Sequence, residues 1–353
     1  MSHSRSLVLA LAGDASSANV IGRLGDRLLA DIVTVTLDLG QGDDLEQVRE
    51  RATAAGAARA HVVDARERFA GEVLLPVLRA GAAHPGATTP ASLARPMVVA
   101  VLIEIARMER AFAVAHGATG DARAAIERLI ADAAPDLMVV ALEDVAPMAV
   151  DRDRTVTANL WGRLVRWPVS GPGEAPDRSI YSRTTDPLAG HPHPAVVEMT
   201  FEHGQPTAIN GIPMRFPELV EVLDTIAGDH GVGRADRTRR GASRTEREIG
   251  ESPAAVTLSA ALDEIERAAL DSRLLTLKSS LVPQYAALAN DGGWFSSARR
   301  SLDAFNDSAM AAITGTVRVM LFRGGCRVVG CEVGPVAAVE RTAKDIGAAQ
   351  PAI

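Results

Sequence analysis

Short apolar runs alternate with amphipathic stretches along the first part of the chain. Five apolar runs predict buried strands, at residues 7–11, 32–39, 60–63, 112–115 and 137–142. Three stretches with helical spacing lie between them, at residues 18–29, 43–55 and 97–110, with Pro96 at the start of the third. Strands and helices that alternate in this way predict an α/β fold, in which helices cover both faces of a parallel sheet.

The pattern changes near residue 151, where turn-forming residues become frequent. Residues 196–201 alternate like an antiparallel strand, and residues 317–322 and 327–333 predict a hairpin. Helical spacing returns at residues 219–226, 258–270 and 298–305. We therefore predict two domains: residues 1–150 with the parallel sheet, and residues 151–353 with an α+β arrangement.

Three loops are candidates for a ligand site, because ligands of parallel sheets bind beyond the carboxyl ends of the strands. They are residues 12–18, 38–44 and 116–123. A further segment, residues 234–247, carries six arginines with acidic residues interleaved. We interpret it as a solvated loop, with an anion-binding site as the alternative.

Composition argues against several classes of partner. The 353 residues carry a net charge of −7, whereas nucleic-acid binding needs clustered excess Lys and Arg. No apolar run reaches the ~18 residues of a membrane span, so we expect no membrane partner and a cytoplasmic location. Cys326 and Cys331 are predicted to be reduced. Neither they nor the segment His191-Pro192-His193 has metal-ligand spacing, so no metal site is predicted.

Seven motifs recur, in order and at matching spacing, in one known family. They are Thr36 with Asp38, Gly40 and Gln41; Leu93-Ala94-Arg95-Pro96; His116-Gly117-Ala118-Thr119-Gly120; Asn159-Leu160-Trp161-Gly162; His230-Gly231-Val232-Gly233-Arg234; Trp294-Phe295-Ser296; and Thr314-Gly315-Thr316-Val317-Arg318. With them the chain resembles the argininosuccinate synthase family over nearly its whole length. The resemblance implies a nucleotide-binding domain like that of the adenine nucleotide alpha hydrolases, followed by a synthetase and oligomerisation domain. It also implies a cytosolic homotetramer that adenylates citrulline with ATP before aspartate displaces AMP.

The nucleotide loop departs from the family's pattern. The family has Ser-Gly-Gly-Leu-Asp-Thr-Ser after the first strand, where this chain has Ala12-Gly13-Asp14-Ala15-Ser16-Ser17-Ala18. Farther along, Asp121 stands at the family's lysine position. Carboxylates repel a polyphosphate, so ATP binding is expected to be weak or absent, while AMP or adenosine remains open. The nucleotide-site remnant comprises Ala12, Gly13, Asp14, Ser16, Ser17, Asp38, Gln41, His116 and Gly117.

The amino-acid side of the site departs as well. The family holds citrulline and aspartate with polar side chains, and the resemblance places Ser92, Thr119, Arg123, Glu127, Thr155 and Arg239 among the substrate-binding positions. At other such positions the chain has side chains that offer no comparable hydrogen bond, namely Ala87, Ala124, Leu164 and Gly250. Because unpaired buried groups weaken binding, we expect no ligation of citrulline with aspartate.

The charges at these positions favour an anionic ligand. Arg123, Glu127 and Arg239 sum to +1, where the family's residues sum to −1. We predict a dicarboxylate or acidic amino acid held by Arg123 with Thr119. Alternatively, Arg123 lies on an exposed helix face and pairs with Glu127 at i,i+4. No catalytic residue is assigned.

Three functions stay open. The first is a diverged enzyme acting on an anionic, amino-acid-like molecule. The second is a non-catalytic binding or partner protein on a dead synthetase scaffold, and the third is a working argininosuccinate synthase. The glycine-rich loops at residues 40–42 and 116–120 favour an active site, although glycines also serve turns. Only twenty residues follow Val333, fewer than in the family's interlocking arm, so we expect a dimer or a loose tetramer.

Overall fold

A five-stranded parallel sheet forms the centre of the first part of the molecule. The structure is a computed structural model that describes residues 5–11, 20–42, 44–145, 154–169, 176–240 and 245–334. The sheet order is β3-β2-β1-β4-β5. Its strands are β1 (Ser6–Ala10), β2 (Asp31–Asp38), β3 (Arg59–Asp64), β4 (Ala113–His116) and β5 (Met138–Ala141). The fold is thus α/β, as the alternating pattern predicts.

Helices cover both faces of this sheet. They are α1 (Val20–Leu28), α2 (Leu45–Ala54), α3 (Arg66–Phe69), α4 (Leu75–Arg79), α5 (Pro90–Met108), α6 (Gly120–Ala133) and α7 (Leu142–Val145), with a π-helical turn, Ala70–Leu74, between α3 and α4. Val8 points into the core that α5 helps to build, while Leu7 and Leu9 point into the core with α1 and α2. Burial on both faces explains why β1 is apolar throughout.

Helix α5 begins six residues earlier than the sequence pattern predicts. The prediction placed its start at Pro96, but Thr89 and Ser92 form a reciprocal capping box, with Pro90 as the first helical residue. Pro96 therefore lies inside the helix, where it has no N–H to donate to the carbonyl group of Ser92. The cap determines the start, and the proline is tolerated within the second turn.

The second part of the molecule contains two antiparallel sheets and four longer helices. The sheet orders are β10-β9-β8-β13-β14 and β11-β12-β7-β6. The strands are β6 (Thr155–Asn159), β7 (Gly162–Pro168), β8 (Ala195–Glu202), β9 (Gln205–Ile209), β10 (Ile212–Pro213), β11 (Arg234–Arg240), β12 (Thr245–Glu251), β13 (Gly315–Phe322) and β14 (Gly325–Val333). The helices are α8 (Phe216–Asp229), α9 (Pro253–Ala269), α10 (Ser272–Asp291) and α11 (Ser297–Met310).

The arginine-rich segment at residues 234–247 is not the solvated loop that its composition suggested. It forms β11 and the beginning of β12, which pair antiparallel from Arg234 opposite Glu251 to Arg240 opposite Thr245. The side chains of β11 are largely exposed from Asp236 onward, so the sequence of this strand lacks the alternation of apolar and polar residues that predicts a strand. Main-chain pairing with β12 makes it a strand.

A buried carboxylate anchors the four-stranded sheet. Glu251 is fully buried and accepts hydrogen bonds from the backbone N–H groups of Ser182, Arg183 and Thr184. It also accepts from the Thr184 hydroxyl at 2.8 Å and from Arg163 Nη1 at 3.0 Å. Both oxygens of this carboxylate accept hydrogen bonds, as buried polar groups require. The same contacts hold the segment around residues 180–184 against one face of the sheet.

Helices α9 and α10 are joined by a buried ion pair. Lys278 Nζ lies 3.1 Å from Glu266 Oε1, and both side chains are almost completely buried. Burial raises the pKa of Glu266, and the charge of Lys278 opposes that rise. Lys278 is one of only two lysines in the sequence, the other being Lys344. Buried charges of this kind persist only when they are paired.

Two expectations from composition can be compared with the structure. Among the described helices, none combines the length and the apolar character that crossing a membrane requires. Cys326 and Cys331 carry free thiols, and burial raises the pKa of each. Both thiols therefore stay protonated at neutral pH.

Candidate functional site

The loop after β2 is held in shape by its own polar side chains. Asp38 accepts a hydrogen bond from the Gly40 N–H at 2.8 Å. Gln41 accepts from the Leu39 N–H and donates to the Leu37 carbonyl, both at 2.7 Å. Gly40 has a φ of +84°, and a Cβ there would come within 3.1 Å of the Leu160 backbone. Asp38 and Gln41 thus fix the shape of the loop, and Asp38 Oδ2 also lies 3.4 Å from Arg66 Nε.

Of the remaining residues of the nucleotide-site remnant, only His116 and Gly117 are among those that the structure describes. Ala12, Gly13, Asp14, Ser16 and Ser17 lie outside the described residues. His116 is the last residue of β4 and only 2% exposed, and neither ring nitrogen has a hydrogen-bond partner among the described residues. Burial lowers the pKa of His116, so the imidazole is neutral at pH 7. Gly117, next in the chain, is exposed.

Arg123 sits in a cluster of carboxylates beyond the ends of β4 and β5. Its Nε donates to Glu127 Oε1 at 2.8 Å, and Nη1 and Nη2 donate to the two oxygens of Asp144 at 2.9 and 2.7 Å. Glu143 Oε2 lies 3.5 Å from Nη1. Hydrogen bonding to Arg123 lowers the pKa of Asp144. The i,i+4 pair with Glu127 is therefore present, and an external anion would have to replace Asp144 to reach Arg123.

Glu127 also faces the buried histidine. Its Oε1 lies 4.0 Å from His116 Nε2, too far for a hydrogen bond but close enough to favour the protonated imidazole. Arg123 and burial act in the opposite direction, and the net effect is a lowered pKa for His116. The structure thus brings together three of the residues that the sequence singled out: His116, Arg123 and Glu127.

Thr119 and Ser92, the two retained substrate-site residues, differ in their availability. Thr119 is exposed at the N-cap of α6, and its hydroxyl makes no capping hydrogen bond. Ser92 is only 2% exposed, and its Oγ accepts from the Thr89 N–H at 2.9 Å and lies 3.0 Å from the Thr89 carbonyl as a donor. The capping box therefore occupies Ser92, whereas Thr119 is free to bind a ligand.

The remaining predicted residues lie on one face of the four-stranded sheet. Cross-strand pairing aligns Thr155, Arg166, Glu248 and Arg237 in one row, with Thr155 exposed at the edge. Arg166 Nε lies 2.7 Å from Glu248 Oε1, in an orientation that suits an ion pair better than a hydrogen bond. Arg239 Nη1 is 3.8 Å from the same oxygen. Arg239 thus shares Glu248 with a second guanidinium group.

Arg95, on α5, faces this row from the parallel-sheet side. Its Nη1 donates to the Asn290 carbonyl at 2.9 Å, and no carboxylate of the described residues forms an ion pair with it. Burial lowers the pKa of Arg95, and Arg166 lowers it further, while Asp121 and Asp291 oppose the shift. Sequence reasoning did not single out Arg95 or Arg166 as ligands. The Ala-Arg-Pro motif was visible, but the missing carboxylate partner is a property of the tertiary structure.

The loop that carries Ala87 is fastened to the second part of the molecule. Asn290 Nδ2 donates to the Ala87 carbonyl at 2.7 Å, and Arg237 Nη2 donates to the Pro85 carbonyl at 2.6 Å. Beside Ala87 an open groove of about 480 Å³ is lined mainly by small apolar side chains of α10, including Val282, Pro283, Ala286 and Ala287. No group of three or more His, Cys, Asp or Glu in the described ranges is arranged to hold a metal ion.

Comparison with known proteins identifies the family. The model of the "Arginosuccinate synthase N-terminal HUP domain" matches residues 6–158, and that of the "Arginosuccinate synthase C-terminal domain" matches residues 154–335. Argininosuccinate synthase from Oceanobacillus iheyensis is 33% identical over 92% of this chain and 84% of its own length. The enzymes from Pelotomaculum thermopropionicum and Bacillus pumilus are 34% and 35% identical over 92% and 94% of this chain, and over 87% of their own lengths. The chain therefore belongs to the argininosuccinate synthase family.

Proposed function

We propose that this chain is a diverged argininosuccinate-synthase-like enzyme that acts on an anionic, amino-acid-like small molecule. The proposed site, called the cleft below, lies between α5, the N-terminus of α6 and the row Thr155–Arg166–Glu248–Arg237, where Arg95 is close to Arg166 and Asp121. A cytoplasmic location and assembly as a dimer or loose tetramer belong to the same proposal, by analogy with the family. The observation that carries the proposal is Arg95, a largely buried guanidinium with no carboxylate partner among the described residues.

An unpaired buried cation is costly, and a ligand carboxylate would remove that cost. Guanidinium groups bind carboxylates through two parallel hydrogen bonds, which are strongest where water is excluded. Arg95 has one nitrogen on the Asn290 carbonyl, which leaves its other donors for a ligand. Arg166 adds a second positive charge nearby. The Thr119 hydroxyl would supply a neutral hydrogen bond beside them. Arg123 would join this set only by exchanging Asp144 for the ligand.

The same cleft is poorly suited to citrulline. Leu164 and Gly250 stand directly opposite each other on β7 and β12, and neither side chain can bind a ureido group. Each buried polar group left unpaired costs about 1–3 kcal/mol of affinity. Asp121 at the N-terminus of α6 places a negative charge where a helix would otherwise favour phosphate. These residues support a ligand other than ATP with citrulline.

Argininosuccinate synthesis, the last of the three functions considered from the sequence, is now the second candidate. The relatives named above all carry the name argininosuccinate synthase and match most of the chain. The third candidate, a non-catalytic binding protein, would use the same cleft without turnover. The first two are separated by incubating the protein with ATP, citrulline and aspartate. Argininosuccinate above the no-enzyme control would establish the second candidate and refute the first.

The anion site is tested by calorimetric titration with succinate, glutamate and hexanoate. At least one of these carboxylates should bind, and Arg95→Gln should weaken its binding about tenfold or more, the value of a lost charge-assisted hydrogen bond. Arg300→Gln is the matched control, because Arg300 also donates through Nη1 to a backbone carbonyl but is exposed. Equal affinities in the wild type and Arg95→Gln would refute the anion site.

A further inference from the structure

The cleft-facing side of the four-stranded sheet carries an apolar row beside its charged row. Leu164 pairs with Gly250 across β7 and β12, and Gly250 pairs with Ala235 across β12 and β11. Residues two apart on a strand share a face, so this row lies on the same side as Arg166, Glu248 and Arg237. The next row along the cleft thus begins with Thr157 on the edge strand β6 and continues with three residues without polar side chains, Leu164, Gly250 and Ala235.

Space remains above the middle of this row. A Cβ added at Gly250 would meet only Ala235 Cβ at 3.6 Å and Leu164 Cδ1 at 4.0 Å among the described atoms, both ordinary van der Waals distances. Leu164 is not part of any apolar cluster formed by the described residues, although it is only 9% exposed. Leu164 Cδ1 and Ala235 Cβ therefore border the open space at Gly250.

The opposite face of the same sheet is covered by a small apolar core. There Val165 and Ile249 are completely buried and pack against Ile180, with Trp167 and Tyr181 around them. The segment held by Glu251 closes that face. The two faces therefore differ: one is a closed apolar core, and the other carries an apolar strip beside the row of Arg166, Glu248 and Arg237.

We infer that the cleft selects a carboxylate whose remainder is an alkyl or aryl group. The inference rests on the proposed anion site and adds its specificity. The carboxylate pairs with Arg95, near the charge of Arg166, and the apolar remainder lies over Gly250 between Leu164 and Ala235. Burying each methylene strengthens binding by up to about fourfold, which is the transfer free energy of one CH₂ expressed as an affinity ratio. A polar tail of equal length would lose its hydrogen bonds to water, and the side chains of Leu164 and Ala235 offer none in return.

The test is a calorimetric titration series with butyrate, pentanoate, hexanoate and heptanoate, together with 5-ureidopentanoate as the polar-tailed probe. The wild type should bind each longer acid more tightly, and heptanoate more tightly than 5-ureidopentanoate. Gly250→Leu fills the space and should abolish the dependence on chain length while leaving butyrate binding unchanged. Gly71→Leu is the control, because Gly71 is exposed with open space around it and lies away from the cleft.

Leu164→Ser provides a second variant should Gly250→Leu fail to fold. It should flatten the chain-length series and favour 5-ureidopentanoate. A wild-type series without dependence on length, or tighter binding of the ureido probe, overturns the inference. If short acids bind and depend on Arg95 but length has no effect, only the apolar strip is refuted. If no acid binds, the anion site fails and the inference with it.

Discussion

Arg123 and Asp144 form a two-pronged ion pair, with Nη1 to Oδ1 at 2.9 Å and Nη2 to Oδ2 at 2.7 Å. The pair links the first turn of α6 to α7, which follows β5. Together with Glu127 and Glu143, it surrounds one guanidinium with three carboxylates. Arg123, which the family resemblance and the charge comparison predicted to bind a ligand, is therefore already paired with carboxylates of the protein itself.

Removing Asp144 should release Arg123 for an external anion. In Asp144→Asn we expect modestly tighter succinate binding and little change in unfolding free energy, because the pair is solvent-exposed. The double variant Arg123→Ala with Thr119→Val should then bind succinate more weakly than the wild type. Titration calorimetry measures both. Unchanged affinity in all of these variants would leave Arg123 with only a structural role on the face of α6.

Acid should destabilise the protein through His116. Its folded-state pKa lies below the ordinary value, so the unfolded chain binds the proton more readily. The stabilisation is fully present above the ordinary pKa of about 6.5 and is lost as pH falls toward the folded pKa. Urea unfolding at pH 5, 6, 7 and 8 should show this loss in the wild type and a smaller one in His116→Gln. Parallel profiles in both proteins would show that His116 does not contribute.

Loss of the Glu251 carboxylate should be severe. Glu251→Ala removes the carboxylate partner of Arg163 and the acceptor of three backbone N–H groups, which should lower the unfolding free energy by about 3–5 kcal/mol. Glu251→Gln keeps part of the network and should cost less, about 1–3 kcal/mol. Glu332→Ala, at an exposed ion pair, should stay within about 0.5 kcal/mol. Urea denaturation that ranks these variants differently would contradict this account of the sheet.

ATP should bind no more tightly than millimolar. Asp121 places a carboxylate at the N-terminus of α6, and the family resemblance assigns Asp14 to the nucleotide loop, so we expect both carboxylates to repel a polyphosphate. AMP carries less charge and should be less strongly repelled. A micromolar dissociation constant for ATP in calorimetry would refute the prediction.

The protein should assemble beyond the monomer. Helices α9, α10 and α11 present partly exposed apolar residues, among them Leu277 at 50% exposure. Such residues are a common basis for subunit pairing. We expect light scattering at micromolar concentration to give the mass of a dimer or tetramer, with Leu277→Glu shifting the distribution toward monomer. A wild-type mass of one chain would contradict this.

The parallel sheet could be predicted from sequence because both of its faces are buried. Leu7, Val8 and Leu9 had to be apolar whichever way they pointed, so the run was unmistakable. The predicted start of α5 was wrong because a proline such as Pro96 is a strong signal for a helix start. A capping box formed by Thr89 and Ser92 is a weak signal in a sequence. Strand β11 was missed because its exposed arginines follow no apolar alternation.

The candidate site could be predicted only in outline. Family motifs pointed to His116, Thr119 and Arg123, and the structure places these residues around the N-terminus of α6. Which cation lacks a partner depends on residues far apart in the chain. Arg123 finds Asp144 twenty-one positions later, whereas Arg95 reaches Asn290 and meets only a carbonyl group. Spacing along the sequence contains no information about that difference.

Because Lys278 is buried, its chemical reactivity can measure local opening of the structure. Amine-reactive dyes modify lysines that water can reach, and this chain has only Lys278 and Lys344 to offer as side chains. Lys278 becomes accessible only when its surroundings open, and these include Glu266 on α9 and the backbone at Gly81. Its modification rate, followed peptide by peptide in mass spectrometry, therefore measures how often this region opens under native conditions. A ligand that makes this local opening rarer would slow the modification of Lys278. No label would have to be engineered into the chain to detect it.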